Sequence, residues 1–167
     1  MARVDGVTGP ELRWATREDA DAVAAIDRAT HSTLVSPGPG LQRDGDPFAR
    51  HEPEDTLVAV LDGRVVGYAI LGPATPLDSN AHVQMLHGLG VDPAVGRRGV
   101  GRALVRGAVE QARTRGATRL RLRVLGHNDG ARRLYEAEGF EVEGVLRGEF
   151  VLDGHPVDDV LMARGLD

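Results

Sequence analysis

The chain is 167 residues long, enough for one domain that buries a hydrophobic core of its own. Its hydrophobic fraction of 41% and its charged fraction of 27% are ordinary for a soluble globular protein. No apolar run approaches the roughly 18 residues that a membrane-spanning helix needs, and the charged N-terminus does not resemble a signal peptide. The absence of cysteine excludes disulfides, thiolate metal sites and a cysteine nucleophile. We expect a cytoplasmic protein with no membrane partner and no metal ion.

The charges are distributed unevenly along the chain. The formal net charge of −5 at pH 7 argues against nucleic acid as a partner. Residues 97–133 nevertheless contain eleven arginines against two acids, which gives this segment a net charge of +9. The rest of the chain holds nine arginines against twenty-three acids, a net charge of −14. A basic segment inside an acidic protein favours a compact polyanionic ligand over a long phosphate backbone.

The N-terminal part predicts a loose terminus, a strand and a helix. Residues 1–10 have no periodicity and precede a domain that we place at 11–167. A first strand is predicted at 12–15. The segment 20–29 has apolar residues at helical spacing and follows a Thr-x-x-Asp capping pattern, so it predicts a helix.

The next part predicts a long loop and then a hairpin. Residues 31–54 show no clean period and are interrupted by several prolines and glycines. A loop of this length is unusual in a compact domain unless it has a function, so we expect a lid or a substrate wall. Strands are predicted at 56–61 and 64–71, because the Asp62-Gly63 dipeptide between them is a strong hairpin signal.

The second half alternates between strand and helix and ends in another hairpin, which favours an α/β layered domain with a mixed sheet. The predicted elements are a strand at 82–91, a helix at 98–114 closed by Gly116, a strand at 118–125, a short helix from Asn128 or Asp129 to Gly139, and strands at about 140–152 and 156–163.

A glycine-rich turn, Gly96-Arg97-Arg98-Gly99-Val100-Gly101-Arg102, joins a strand to a helix. Free N–H groups and the helix dipole make such a turn a cradle for phosphate, and glycines let the anion approach closely. A nucleotide P-loop is excluded because the chain has no lysine, and a dinucleotide fingerprint fails at its last position, Leu104 or Pro93. The alternative is that the glycines only make a tight turn.

Two segments resemble motifs of the GNAT superfamily of N-acetyltransferases. Val91-Asp92-Pro93 with Arg98-Gly99-Val100-Gly101-Arg102-Ala103-Leu104 resembles the coenzyme A pyrophosphate loop of that family. Asn128-Asp129-Gly130-Ala131-Arg132-Arg133-Leu134-Tyr135-Glu136, followed by Gly139-Phe140, resembles its second motif. The order of elements matches over about residues 12–163, so the resemblance spans nearly the whole chain.

The resemblance implies a single-domain α/β fold with a mixed, mostly antiparallel sheet of six or seven strands, flanked by helices and splayed between the fourth and fifth strands. It implies acetyl-CoA as the co-substrate. The family usually has Gln or Arg where Gly96 stands, which implies a more flexible turn here. The residues that the resemblance assigns to the coenzyme are Leu89, Gly90, Val91, Arg97, Arg98, Gly99, Val100, Gly101, Arg102, Asn128, Ala131 and Tyr135.

Three of these positions have a second interpretation. In the family, the strand at Leu89 offers its backbone to pantetheine and one N–H to the acetyl carbonyl. The glycines at 88 and 90 fit a bulge in that strand, or close packing of neighbouring side chains. Asn128 fits a helix cap as well as a pantetheine contact. Tyr135, at helical spacing from Leu134, fits a core aromatic as well as the family's general acid.

The general base is less clearly indicated. The family often has a glutamate at the position of Met85, so His87 is the candidate here, and His82 and Gln84 are weaker ones. Histidine has a suitable ordinary pKa of about 6.5. Ordered water or an acid of the 44–55 segment are alternatives. We expect the arginines of the 118–125 strand to form a solvated or helix-covered face, not a binding site; they are Arg119, Arg121 and Arg123.

The resemblance therefore predicts an enzyme that transfers acetyl from acetyl-CoA to an amine by direct attack, with Tyr135 as general acid. The closing segment, 144–162, resembles branches that acetylate small amines or amino-acid derivatives, and the acidic remainder of the chain indicates a cationic acceptor. A protein N-terminal acetyltransferase is the alternative enzyme. A non-catalytic acyl-CoA-binding module is the alternative of another class. The protein is expected to be a monomer or a homodimer.

Overall fold

The computed structural model describes residues 9–41 and 45–167. The predicted loose terminus, apart from residues 9 and 10, lies outside the described residues, as does Asp44 of the acidic loop segment. The ten main elements follow the predicted order, with ends shifted by a few residues. They are β1 (Glu11–Trp14), α1 (Ala20–Thr30), β2 (Thr56–Leu61), β3 (Arg64–Pro73), β4 (Val83–Val91), α2 (Val100–Thr114), β5 (Arg119–Leu125), α3 (Asp129–Ala137), β6 (Glu141–Leu152) and β7 (His155–Gly165).

The strands form one seven-stranded sheet in the order β1-β2-β3-β4-β5-β7-β6. Neighbouring strands run antiparallel except β4 and β5, which are parallel because α2 crosses between them. The two predicted Asp-Gly hairpin turns are present, with positive φ at Asp62 and Gly63 and at Asp153 and Gly154. The predicted mixed, mostly antiparallel sheet is confirmed.

The parallel pair β4/β5 separates halfway along its length. Ladder pairing runs only from Val83↔Arg119 to Leu86↔Leu122, although β4 continues to Val91. The remainder of β5 pairs with β7 on its other side. The second half of β4 thus has a strand partner on the β3 side only, and the predicted splay is confirmed.

Helices cover both faces of the sheet. The larger hydrophobic cluster joins α2 to one face, where Leu104, Val105 and Ala108 are fully buried against strand residues. The smaller cluster joins Val23 and Ile26 of α1 to the opposite face. Among the described residues, no helix is both long and apolar enough to cross a membrane.

Candidate functional site

A cleft of about 470 Å³ opens where β4 leaves β5. One wall comes from the second half of β4, another from α3, and the far end from α1 and the loop that follows it. Seven predicted site residues line this cleft, separated by up to 48 positions in sequence. They are His87, Leu89, Gly90, Val91, Asn128, Ala131 and Tyr135.

β4 contains a bulge at the cleft. Gly88 pairs with Ile70 and Leu86 pairs with the next residue, Leu71, so His87 has no cross-strand partner. The flanking glycines also allow close packing: a β carbon on Gly90 would lie 2.6 Å from the ring of Tyr68. Both interpretations of the strand glycines therefore apply, and the bulge turns His87 towards the cleft.

The backbone groups of Leu89 and Val91 face the cleft side. The Asp92 N–H donates to the Val66 carbonyl oxygen of β3, and because successive residues of a strand turn these groups to opposite edges, those of Gly90 face β3 while those of Leu89 and Val91 face away from it. Because β5 diverges from β4 after Leu86, the edge of β4 that faces the cleft has no ladder partner among the described strands. Free N–H and C=O groups of this kind can accept an extended ligand as an added strand.

The glycine loop lies at the N-terminus of α2, next to the end of the cleft. Asp92 caps the short turn before it by accepting a hydrogen bond from the Ala94 N–H at 2.9 Å. Gly96 has φ +61° and ψ −150°, a backbone conformation that is almost exclusive to glycine. A β carbon on Gly101 would lie 3.4 Å from Leu134, which lines the cleft, so the loop and the cleft are adjacent.

The three arginines of this loop are placed differently. Arg97 is exposed and forms no ion pair or hydrogen bond within residues 9–41 and 45–167. Arg98 lies 4.0 Å from the exposed carboxylate of Asp62. Arg102 Nε lies 3.0 Å from the carboxylate of buried Glu138. Arg97 is thus the most available of the three for a phosphate, whereas Arg102 already neutralises a buried acid.

Asn128 caps the start of α3. Its Oδ1 accepts a hydrogen bond from the Ala131 N–H at 3.2 Å. Asn128 and Ala131 both line the cleft, and the side-chain N–H groups of Asn128 take no part in the cap.

Tyr135 is buried in α3 and lines the cleft. Its ring packs against Phe140 at a centroid distance of 5.9 Å, and 8% of the residue remains exposed. Burial raises the pKa of its hydroxyl from 10 to about 12. The hydroxyl forms no hydrogen bond to another described residue. Tyr135 is therefore part of the core, lines the cleft and keeps its hydroxyl proton at neutral pH.

His87 has a defined tautomer. Its Nε2 lies 3.1 Å from the carbonyl oxygen of Pro73, and since a carbonyl only accepts hydrogen bonds, Nε2 carries the proton. In the neutral ring, Nδ1 is then the free proton acceptor. The ring of His51 lies 5.1 Å away, and burial followed by the charge of His87 lowers the pKa of His51.

The alternative bases do not line the cleft. His82 is exposed ahead of β4, and Gln84 is buried with its side-chain oxygen unpaired. Three described acids of the 44–55 segment instead pair with arginines elsewhere, Asp46 and Glu52 with Arg17 and Asp55 with Arg115. Met85, at the family's glutamate position, is half-buried opposite Gly72 and Arg121.

The cleft also contains polar residues that sequence reasoning did not assign to it, among them Asp27, Tyr68 and Arg123. Asp27 and Tyr68 meet at its α1 end, and burial followed by the Asp27 carboxylate raises the pKa of the Tyr68 hydroxyl. Arg123 lines the cleft and pairs with buried Asp159, so the arginine face of β5 is only partly solvated. A signal existed for Asp27, because an acid four residues after Val23 falls on the apolar face of α1.

The chain is similar to known acetyltransferases. The sequence model of the acetyltransferase (GNAT) family matches residues 20–140. The L-amino acid N-acetyltransferase AaaT of Escherichia coli K12 is 30% identical over 157 residues, covering 92% of this chain and 96% of that protein. The N-alpha-acetyltransferase RimI of Mycobacterium tuberculosis is 37% identical over 95 residues. That match covers 55% of each protein, so the chain spans about half of this relative.

A solved structure has the same fold. The acetyltransferase yncA of Salmonella typhimurium, determined with its cofactor acetyl-CoA, has a TM-score of 0.82 to this chain. The similarity covers 96% of this chain and 95% of that one, at 24% sequence identity.

Proposed function

Because the chain belongs to the GNAT family of acetyl-CoA-dependent acetyltransferases, we propose that it acetylates the primary amine of a small molecule by direct attack. The observation that carries this proposal is that Tyr135 and His87 line one cleft. The loop after α1 closes the far end of this cleft. The cleft brings a proton donor and a proton acceptor to the free edge of β4. These are the groups that amine acetylation requires.

The residues present fit coenzyme A along the whole splay. The unpaired backbone groups of Leu89 and Val91 suit the amides of the pantetheine arm, and the amide of Asn128 adds a donor. The first turn of α2 offers free N–H groups and the positive end of a helix dipole to the pyrophosphate. Arg97, unpaired in this structure, adds a positive charge nearby. In this assignment Leu89, Gly90 and Val91 hold the arm while residues 97–102 hold the phosphates.

The transfer itself needs two proton movements. The amine nitrogen forms a bond to the acetyl carbon, and the bond from that carbon to sulfur breaks. His87 Nδ1 accepts the proton that the amine loses, and Tyr135 donates its hydroxyl proton to the leaving thiolate. The N–H of Leu89 stabilises the oxyanion. A tyrosine whose pKa is raised to about 12 keeps its proton at neutral pH and can donate it at that moment.

The closed end of the cleft favours a small acceptor. The loop segment 35–41 lines it, and Thr33 fixes the start of this segment on two sides. The Thr33 hydroxyl donates to Asp153 at 2.6 Å, and His127 Nε2 lies 3.1 Å from the Thr33 carbonyl oxygen. A peptide acceptor would need an open groove at this place.

The similarity to RimI favours one second candidate, acetylation of a protein N-terminus. Under that alternative the loop would have to move away to admit a peptide. The non-catalytic module is disfavoured by the presence of both proton-transferring side chains in the cleft.

The proposal is tested by following coenzyme A thiol release from acetyl-CoA over a panel of small amines and short N-terminal peptides. We expect turnover on small amines, with initial-velocity lines that intersect because both substrates bind before transfer. Parallel lines would contradict direct attack. Turnover on peptides alone would favour the second candidate. Acetyl-CoA binding by calorimetry without turnover on any acceptor would overturn the enzymatic assignment.

A further inference from the structure

The α1 end of the cleft contains a buried carboxylate that the reaction described above does not use. Asp27 is 7% exposed and lines the cleft. One of its oxygens, Oδ2, accepts a hydrogen bond from the Leu41 N–H at 2.8 Å. The other, Oδ1, accepts one from the Tyr68 hydroxyl at 3.0 Å. A carboxylate has about four acceptor positions, so two remain for a ligand.

This carboxylate forms no ion pair among the residues that the structure describes, although His31, four residues further on, lines the same cleft. Arg123 is the arginine that lines the cleft, and its charge is already paired with buried Asp159. Among the described lining residues, Asp27 carries the only carboxylate. A buried charge without a counter-charge is costly, and a cation supplied by a ligand would offset that cost.

The reacting amine is not the cation that suits this position. It must lose its proton before it attacks, and a neighbouring carboxylate stabilises the charged ammonium and opposes that loss. The position is nevertheless close to the reacting region. The Tyr68 hydroxyl that contacts Asp27 would lie 3.2 Å from a β carbon on Gly90 of β4. A second positive group on the same acceptor therefore suits this position, because Asp27 lies close to the reacting region and carries the opposite charge.

We propose that Asp27, together with the hydroxyl oxygen of Tyr68, selects acceptors that carry a second, non-reacting cationic group. This inference rests on the proposed acetylation of small amines. Tyr68 donates its proton to Asp27, which leaves its oxygen lone pairs for an N–H of that group. The acceptor class is a diamine. An amino acid would bring a carboxylate towards Asp27, and like charges repel.

Three acceptors with four carbons each test the inference: 1,4-diaminobutane, n-butylamine and 4-aminobutyrate, which end in a cation, a neutral methyl and an anion. We expect kcat/KM for the diamine to exceed that for butylamine by about tenfold or more, as one charge-assisted hydrogen bond provides. The amino acid should be the poorest of the three. In Asp27→Asn the diamine should lose this advantage through a higher KM, because an amide keeps the size of the side chain but not its charge. Its oxygen can still accept the Leu41 N–H, and the Tyr68 hydroxyl can turn to accept from its NH2 group.

Asp19→Asn is the matched control, since Asp19 is also a buried acid but pairs with Arg13 away from the cleft. The control should keep the preference for the diamine. Acetyl-CoA affinity and melting temperature identify any variant that has lost its fold. The preference of the unmodified protein for the diamine over butylamine tests the inference without any variant. Equal kcat/KM for the diamine and butylamine overturns it while leaving the proposed function intact. No turnover on any amine overturns both.

Discussion

Tyr135 lines the cleft, and its ring is part of the core beside Phe140. Replacing Tyr135 with Phe removes the hydroxyl and keeps the packing. We expect kcat to fall on the order of 10²-fold, because general acid catalysis contributes at least that much, while acetyl-CoA affinity stays nearly unchanged. Steady-state kinetics and calorimetry measure the two quantities. Unchanged turnover, with transfer shown to be rate-limiting, would remove Tyr135 from this role.

The bulge places His87 so that Nε2–H donates to Pro73 and Nδ1 stays free. In His87→Gln the side-chain amide can still donate to Pro73 but offers no base. We expect kcat to fall by about 10²-fold, because the variant has no general base at this position. The matched control is His82→Gln, an exposed histidine outside the cleft, which should keep the unmodified kcat. Unchanged kcat in His87→Gln, with transfer shown to be rate-limiting, would assign deprotonation to water.

At the scale of elements, the turn between β4 and α2 requires glycine at position 96. The sequence comparison with the family suggests a looser turn there, but φ +61° with ψ −150° defines one specific conformation. Gly96→Ala should introduce about 1–3 kcal/mol of backbone strain and shift the N–H groups that face the pyrophosphate. We expect acetyl-CoA Kd to rise about tenfold, with kcat at saturation little changed.

Calorimetry with acetyl-CoA measures the effect of Gly96→Ala. Gly9→Ala is the control, because a β carbon at Gly9 meets nothing within 4 Å and that glycine lies far from the loop in sequence. An unchanged Kd in Gly96→Ala would mean that the loop amides do not hold the phosphates in this conformation.

At the scale of the whole molecule, two buried tyrosines make stability depend on alkaline pH. Burial raises the pKa of both Tyr68 and Tyr135 above the ordinary value of 10, the latter to about 12. Folding therefore favours their protonated forms, so this stability is complete below pH 10 and is lost as pH rises above it. The expected loss is about 1.4 kcal/mol per pH unit for each tyrosine between pH 10 and 12.

Urea unfolding from pH 8 to pH 11 measures this loss. Tyr135→Phe should have about half the slope of the unmodified protein above pH 10, since one titrating group is gone. A variant slope equal to that of the unmodified protein would contradict the assignment of the alkaline loss to Tyr135.

Local residue patterns were sufficient for most of the fold. The Asp-Gly pairs specified both hairpins, because few other residues adopt positive φ at consecutive positions. The period of α2 and the alternation in β5 specified which of their faces are buried, since burial follows the geometry of helix and strand. Motif order along the chain indicated the splayed sheet and the coenzyme, and the shared motif positions indicated Tyr135 and Asn128.

Tertiary structure decided what lies at the acceptor end of the cleft. Asp27 and Tyr68 are 41 positions apart, and only the packing of α1 on β3 brings them together. The pairing of Arg102 with Glu138, which reduces its availability for phosphate, likewise depends on how α2 meets α3. A linear pattern records which side chains a helix or strand buries, because that follows from local periodicity. It does not record which distant side chain each one meets, because that depends on the packing of whole elements.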